Sequence, residues 1–131
     1  MTRNIVLTSL AAAPSGAYSQ AVRAGDLLFV SGQLPLGPDG ALVGAGNIKA
    51  QTQAVLANIA AILGEAGMSL DQVVKTTVFL TNLADFAGMN DVYAATFASP
   101  YPARSTVEVG RLPGGMLLEI ECIALAERKS S

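Results

Sequence analysis

Two β-type runs between residues 102 and 121 flank a segment that a regular strand cannot cross. The first run is Pro102-Ala103-Arg104-Ser105-Thr106-Val107-Glu108-Val109, and the second is Leu117-Leu118-Glu119-Ile120-Glu121. Gly110-Arg111-Leu112-Pro113-Gly114-Gly115 lies between them and has the Pro and Gly content of a loop. Side chains alternate faces along a strand. In the first run Arg104, Thr106 and Glu108 therefore share one face, and Ser105, Val107 and Val109 the other. In the second, Glu119 and Glu121 share a face with Leu117, Ile123 and Leu125, while Leu118, Ile120, Cys122 and Ala124 take the opposite one. The expected arrangement is a hairpin that brings Arg104 and Glu119 to the same side of one sheet, in a register that spacing does not fix. Paired charges on a strand usually mark a solvated face. The apolar residues beside these glutamates point instead to a covered site or an interface. Strand spacing by itself favours an Arg–Glu salt bridge within such an interface.

Earlier in the chain, residues 18–24 read as a strand or extended entry, Gly25-Asp26 as a tight turn, and Leu27-Leu28-Phe29-Val30-Ser31 as a second strand, which makes a hairpin. Gly32 follows, as a bulge, a strand end, or a point where backbone approaches a ligand. Residues 35–40 are a loop, and Ala41-Leu42-Val43 a short strand. Asn47 has the side chain of an N-cap. From it Ile48, Thr52, Val55, Ile59, Ile62, Leu63 and Ala66 form one helical stripe, stopped by Gly67. Residues 73–80 are β-branched and strand-like. Asn82 or Asp85 opens a second helix with a stripe of Phe86, Met89, Asn90, Tyr93 and Phe97. Ser99-Pro100-Tyr101-Pro102 ends it. Asn90 is the polar member of that stripe, either a satisfied core group or part of a pocket at the helix end.

The order β-β-(β)-α-β-α-β-β, with one apolar stripe per helix, predicts an α+β domain. It is a mixed β-sheet with two helices packed on one face, spanning residues 1–131 as a single unit. The other face, to which this reading assigns Arg104, Thr106, Glu119 and Glu121, then needs a cover. The simplest cover is a second copy of the chain.

Composition narrows the chemistry. Hydrophobic residues make up 51% of the 131, and charged residues only 14%. That apolar balance agrees with buried intersubunit surface. The net charge is −2, with eight scattered Lys and Arg, so a nucleic-acid partner is not expected. There is no His, which removes the usual general base and the commonest metal ligand. The lone Cys122 sits on an apolar strand face, as a buried structural thiol rather than a nucleophile. No apolar run is long enough to span a membrane. Arg3 followed by an apolar, Ala-ending run mimics a short signal peptide, but the run is too short, and the expected location is cytoplasmic.

Pro102-Ala103-Arg104-Ser105-x-Val107, Gly110-x-Leu112 and Leu118-Glu119-Ile120 together resemble the C-terminal signature of the reactive intermediate deaminase family, RidA, also called YjgF. Gly16-Ala17-Tyr18-Ser19-Gln20-Ala21, Phe29-Val30-Ser31-Gly32-Gln33 and Val74-Lys75-Thr76-Thr77-Val78-Phe79-Leu80 resemble further blocks of the same family. The resemblance implies a chorismate-mutase-like fold, assembled as a homotrimer around a central barrel with sites between subunits. It implies hydrolysis of 2-imino acids and their enamine tautomers, such as 2-iminobutanoate and 2-iminopropanoate, to 2-keto acids and ammonia, with no cofactor and no metal. By position Arg104 is similar to the family's substrate-carboxylate arginine and Glu119 to its water-handling glutamate. Tyr18 resembles a pocket tyrosine from the neighbouring subunit, Ser31 and Gly32 a backbone contact segment, and Asn90 a helix-end asparagine. Thr106 stands where many members carry Cys, and the segment between Tyr93 and Arg104 is shorter than in the best-known bacterial members. These departures keep open a different imine or enamine substrate. An endoribonuclease or translation inhibitor, and a non-catalytic 2-keto acid sensor, are the other readings; the acidic balance and missing His weigh against the first.

Overall fold

The computed structural model describes residues 3–127. Its elements are β1 (Arg3–Val6), β2 (Ala21–Ala24), β3 (Leu27–Gln33), α1 (Ile48–Glu65), β4 (Val73–Leu80), α2 (Phe86–Thr96), β5 (Ala103–Glu108) and β6 (Leu118–Leu125). The six strands form one mixed sheet in the order β1-β2-β3-β6-β4-β5, in which only β4 and β5 run parallel. No helix among the described residues is long and apolar enough to cross a membrane.

The expected α1 forms as its ends dictate. The Asn47 side chain accepts from the Ala50 N–H at 3.0 Å, satisfying a first-turn donor. Gly67 adopts φ +73° just past the helix, where the Gly67 and Met68 N–H groups return to the carbonyls of Gly64 and Leu63. Between these ends Val55, Ile59, Ile62 and Leu63 are fully buried against Leu28, Val78, Leu118 and Ile120 of the sheet. Two buried amides on α1 tie down loops. Gln51 accepts from the Leu117 N–H at 2.8 Å and donates to the Gly44 carbonyl. Asn58 donates to the carbonyls of Leu34 and Leu36. At the second helix Asn82 caps the short turn Leu83–Asp85, and α2 starts immediately after it.

Four expectations are corrected. The strand expected over residues 18–24 is confined to β2, because residues before it fold into a loop held by the buried Gln20 side chain, which bonds the Thr8 N–H and the Thr8 and Ala12 carbonyls. Ala41-Leu42-Val43 contributes only a single bridge, Leu36 to Leu42. The runs over residues 102–109 and 117–121 do not pair as a hairpin. β4 inserts between them, parallel to β5 and antiparallel to β6. Residues 109–117 instead cross the end of β4, held by the Val109 N–H on the Leu80 carbonyl and the Thr81 N–H on the Leu117 carbonyl. The physical reason lies in composition. β6 offers Leu118, Ile120, Cys122 and Ala124 to the core and takes an interior place, whereas the polar β5 suits an edge.

The fourth correction follows from register. Arg104 pairs with Thr76, which faces the helices, and Thr106 pairs with Val78, which does too. Glu119 pairs with Phe79, which faces away from the helices. Arg104 and Thr106 are therefore on the helix side, and Glu119 and Glu121 on the open side. They do not share the uncovered face.

Candidate active site

Arg104 sits on edge strand β5 beside α2. Its Nη1 donates to Asn90 Oδ1 at 2.8 Å, and its guanidinium carbon lies 4.7 Å from the Tyr93 ring centre and 5.4 Å from that of Phe86. Phe86, Asn90 and Tyr93 follow the i, i+4, i+7 spacing of one helical face, so one stripe of α2 makes the whole cradle. Tyr93 is itself fixed. Its hydroxyl and Thr76 Oγ1 are 2.7 Å apart in the core, and its ring packs 4.6 Å from that of Phe97. Thr76 is also the register partner of Arg104, so strand pairing and the buried hydroxyl contact set the same geometry. Burial pushes the Tyr93 phenol up, although the Thr76 hydrogen bond and the Arg104 charge oppose this. The guanidinium has no carboxylate partner among the described residues, where the one ion pair is Lys49–Asp91 on the surface. Most of its donor fork is uncommitted, in a cleft of about 340 Å³ lined by Asn90, Tyr93, Ala94, Tyr101, Pro102 and Arg104. A fixed planar guanidinium has the geometry to give a carboxylate two parallel hydrogen bonds.

Thr106 lies two residues along the same face and is half-buried. Glu108, at the end of that face, accepts from the Leu83 N–H at 2.9 Å and serves the turn before α2.

A second cluster forms on the open face. β3 and β6 lose register between Val30 and Gln33: Val30 opposes Cys122 and Gln33 opposes Ile120, so Ser31 and Gly32 both face the single Glu121. This is a β-bulge, a feature common beside active sites. A Cβ at Gly32 would stand 2.7 Å from Glu119 Cδ and 2.8 Å from its Oε2. Gly32 is thus the seat of the Glu119 carboxyl. The Ser31 hydroxyl donates to the Ser19 carbonyl at 2.6 Å, and the Ser31 N–H to the Gln20 carbonyl, which fix the neighbouring segment. Tyr18, in that segment, has its hydroxyl 3.2 Å from the Ser15 N–H and lines a small crevice with Gly32 and Gln33. Burial raises the Glu119 pKa above the ordinary glutamate value, and the neighbouring Glu121 charge raises it further. Cys122 is on the other face, and burial pushes its thiol up to about 12, with a smaller push from Glu121. Such a thiol is not a nucleophile.

The expected site residues therefore gather as two clusters. Arg104 and Asn90 touch, with Thr106 on the same face. Glu119 and Gly32 touch, with Ser31 in the bulge and Tyr18 at the crevice. Within one chain the sheet separates the clusters. Sequence reasoning missed Thr76, Phe86, Tyr93 and Tyr101; the α2 stripe contained the signal for Phe86 and Tyr93, but only the β4–β5 register reveals Thr76. No group of three or more His, Cys, Asp or Glu among the described residues could hold a metal ion.

A mixed sheet of this order has counterparts among known proteins. The Endoribonuclease L-PSP family model matches residues 8–126. A RutC family protein of Pyrococcus abyssi is 49% identical over 97% of this chain and 100% of its own length. The chloroplastic Reactive Intermediate Deaminase A of Arabidopsis thaliana is 44% identical over 93% of this chain and 65% of its own. The crystal structure of E. coli TdcF with bound serine superposes with a TM-score of 0.88 at 38% identity, covering 95% of this chain and 99% of that one. The chain belongs to the YjgF/RidA family.

Proposed function

We propose that the protein is a cofactor-independent deaminase. It would hydrolyse 2-imino acids such as 2-iminobutanoate and 2-iminopropanoate, and their enamine tautomers, to 2-keto acids and ammonia. We further propose that it works as a homotrimer whose open sheet faces form a central barrel, with each site shared between subunits. The observation that carries this reading is the separation of a preset, unpaired guanidinium from a seated carboxyl on opposite sheet faces. A second copy whose open face meets the first at its β5 edge would bring its Glu119 cluster to the Arg104 cluster there. Exposed Leu27, Phe29 and Leu125 on that face give such a contact its apolar surface.

In this reading the substrate carboxylate takes two parallel hydrogen bonds from Arg104. The C2 carbon of the protonated imine is already electrophilic, so the site mainly has to place a water. Glu119 of the second copy accepts a proton from that water as its oxygen bonds to C2. The resulting 2-amino-2-hydroxy acid takes the proton on nitrogen. The C–N bond then breaks, ammonia leaves with the electron pair, and loss of the hydroxyl proton yields the keto acid. The Glu119 pKa, raised above the ordinary glutamate value by burial and by Glu121, makes its carboxylate a stronger proton acceptor than an exposed one. The name of the Arabidopsis relative and the serine bound by E. coli TdcF, a small amino acid with a free carboxylate, support a substrate of this kind. The word endoribonuclease in the family's description finds less support here, since this chain has no His and a net charge of −2.

The test is a coupled assay in which threonine dehydratase generates 2-iminobutanoate and keto acid release is followed. The wild type should accelerate release, and Arg104→Ala, still folded and assembled, should be slower by about a hundredfold or more, the scale of two lost charge-assisted hydrogen bonds. No acceleration by a well-assembled wild type would overturn the reading. Disassembly of Arg104→Ala would give the arginine a structural role instead.

A further inference from the structure

The Arg104 cleft has a wall that carboxylate binding does not require. We propose that Tyr101, on the segment that joins α2 to β5, is a specificity-determining residue. It would form the subsite for the substrate's side chain and favour imino acids with large, flat, apolar side chains over those carrying a methyl group. This rests on the deaminase reading for its substrate class.

Three observations converge. First, the cleft of one chain has room for more than a methyl group before a second copy adds its own side chains. The cleft holds about 340 Å³, whereas a water takes roughly 30 Å³ of liquid, so the space equals on the order of ten waters. A methyl group would leave most of it wet, while a ring would release that water from apolar walls. Second, the chemistry of the walls is divided. Arg104 is the only charge in the lining, and Asn90 has its carbonyl oxygen committed to Arg104. Tyr93, Ala94, Tyr101 and Pro102 supply rings and methyl or methylene groups. An acid anchored by its carboxylate carries its side chain one carbon further on, and the cleft lining other than Arg104 and Asn90 is aromatic or apolar. Third, the Tyr101 ring is presented rather than packed away. It is 52% exposed, yet its hydroxyl reaches the Ala94 carbonyl in the last turn of α2 at 3.4 Å. Pro100 and Pro102 flank it and restrict its backbone. A half-exposed aromatic side chain with both its ends restrained costs little entropy to bring against a ligand. On the far side the Tyr93 ring is immobilised through Thr76, so the cleft has a fixed wall and a restrained one.

The experiment pairs turnover with binding. Imines are generated from phenylalanine and from alanine with an L-amino acid oxidase, and kcat/KM is measured for each with wild type, Tyr101→Ala and Ala94→Leu. In parallel, binding of phenylpyruvate and of pyruvate to the same assembled proteins is measured by calorimetry. The wild type should prefer the phenylalanine-derived imine and bind phenylpyruvate more tightly than pyruvate. Tyr101→Ala should reduce both preference ratios by about 2- to 10-fold, the scale of one aromatic contact. Ala94→Leu, which fills the same space from the helix side, should reduce them too. Unchanged ratios in both variants, with imines still hydrolysed, would overturn the subsite and leave the reaction standing. A binding preference that depends on Tyr101 without any turnover would uphold the subsite and overturn the deaminase reading.

Discussion

The two faces of the sheet are built from the same strands and have opposite fates. On the helix side Leu28, Val78, Leu80, Leu118, Ile120 and Ala124 are fully buried. On the open side Leu27, Phe29, Val107 and Leu125 are between 37% and 46% exposed. The covered face completes the fold within one chain. The open face carries comparable apolar residues and leaves them without a cover, and it also holds the seated Glu119. The proposed function spans both: the guanidinium is held by helix α2, and the carboxyl by a bulge on the other side. A chain divided this way can be stable alone and chemically incomplete alone.

Substitutions on the two faces should separate these properties. Ile120→Ala removes a fully buried side chain and should cost about 2–5 kcal/mol, read as a lower urea midpoint. Phe29→Ala, on the open face, should leave the midpoint of the isolated chain nearly unchanged and weaken self-association in sedimentation. Equal effects of the two on the isolated chain would erase the distinction between the faces. A next step sharpens the open-face cluster. Gly32→Ala places a methyl 2.7 Å from the Glu119 carboxyl carbon, so the carboxyl must move. We expect kcat to fall about 10- to 100-fold with little change in KM, because a displacement near 1 Å has that cost. A change confined to KM would mean that Gly32 serves substrate binding alone.

The arginine cluster should respond more gently. Tyr93→Phe keeps the ring beside Arg104 and loses the 2.7 Å hydroxyl contact, leaving Thr76 unpaired in the core. Stability should fall by about 1–3 kcal/mol, with a modest rise in KM. Tyr93→Leu, which also removes the ring, should raise KM further. The smallest expected effect is electrostatic. Glu119 is held protonated to a higher pH than an ordinary glutamate, first by burial and then by Glu121. If ionised Glu119 is the active form, activity falls as pH drops through that raised pKa. Glu121→Gln removes one of the two causes, so this acid limb should move to lower pH by a fraction of a unit. The stability effect has the matching sign. A carboxylate with a raised folded pKa costs stability above that pKa, and the cost is relieved as pH falls through it, so Glu119→Gln should raise the unfolding midpoint near neutrality.

How much of this was legible in the chain depends on whether the controlling contacts were local. α1 announces itself through Asn47, its apolar stripe and Gly67, all within one segment, and β4 through its β-branched run. The alternation in β5 and β6 is legible too, since the residues that share a face along each strand are the ones expected. What failed was the relation between the strands. A loop with Pro113, Gly114 and Gly115 looks like a hairpin turn, and nothing within residues 102–121 records that β4 will lie between its arms. The one inserted strand, contributed from earlier in the chain, was enough to reverse the face shared by Arg104 and Glu119. The residue contacts that make each cluster were only partly visible. Asn90 was legible as the polar member of a helical stripe. The seat that Gly32 makes for Glu119 depends on a bulge whose register only the folded sheet supplies.

The central claim, that each active site takes its arginine from one copy and its glutamate from another, is tested most directly by mixing two inactive variants. Arg104→Ala and Glu119→Gln are unfolded together, reassembled at equal ratio, and assayed with 2-iminobutanoate. If sites are shared between copies, random assembly pairs an intact Arg104 with an intact Glu119 in about a quarter of sites, and activity should return to about that fraction of wild type. Activity no higher than the average of the two variants assayed separately, in a properly reassembled oligomer, would contradict it.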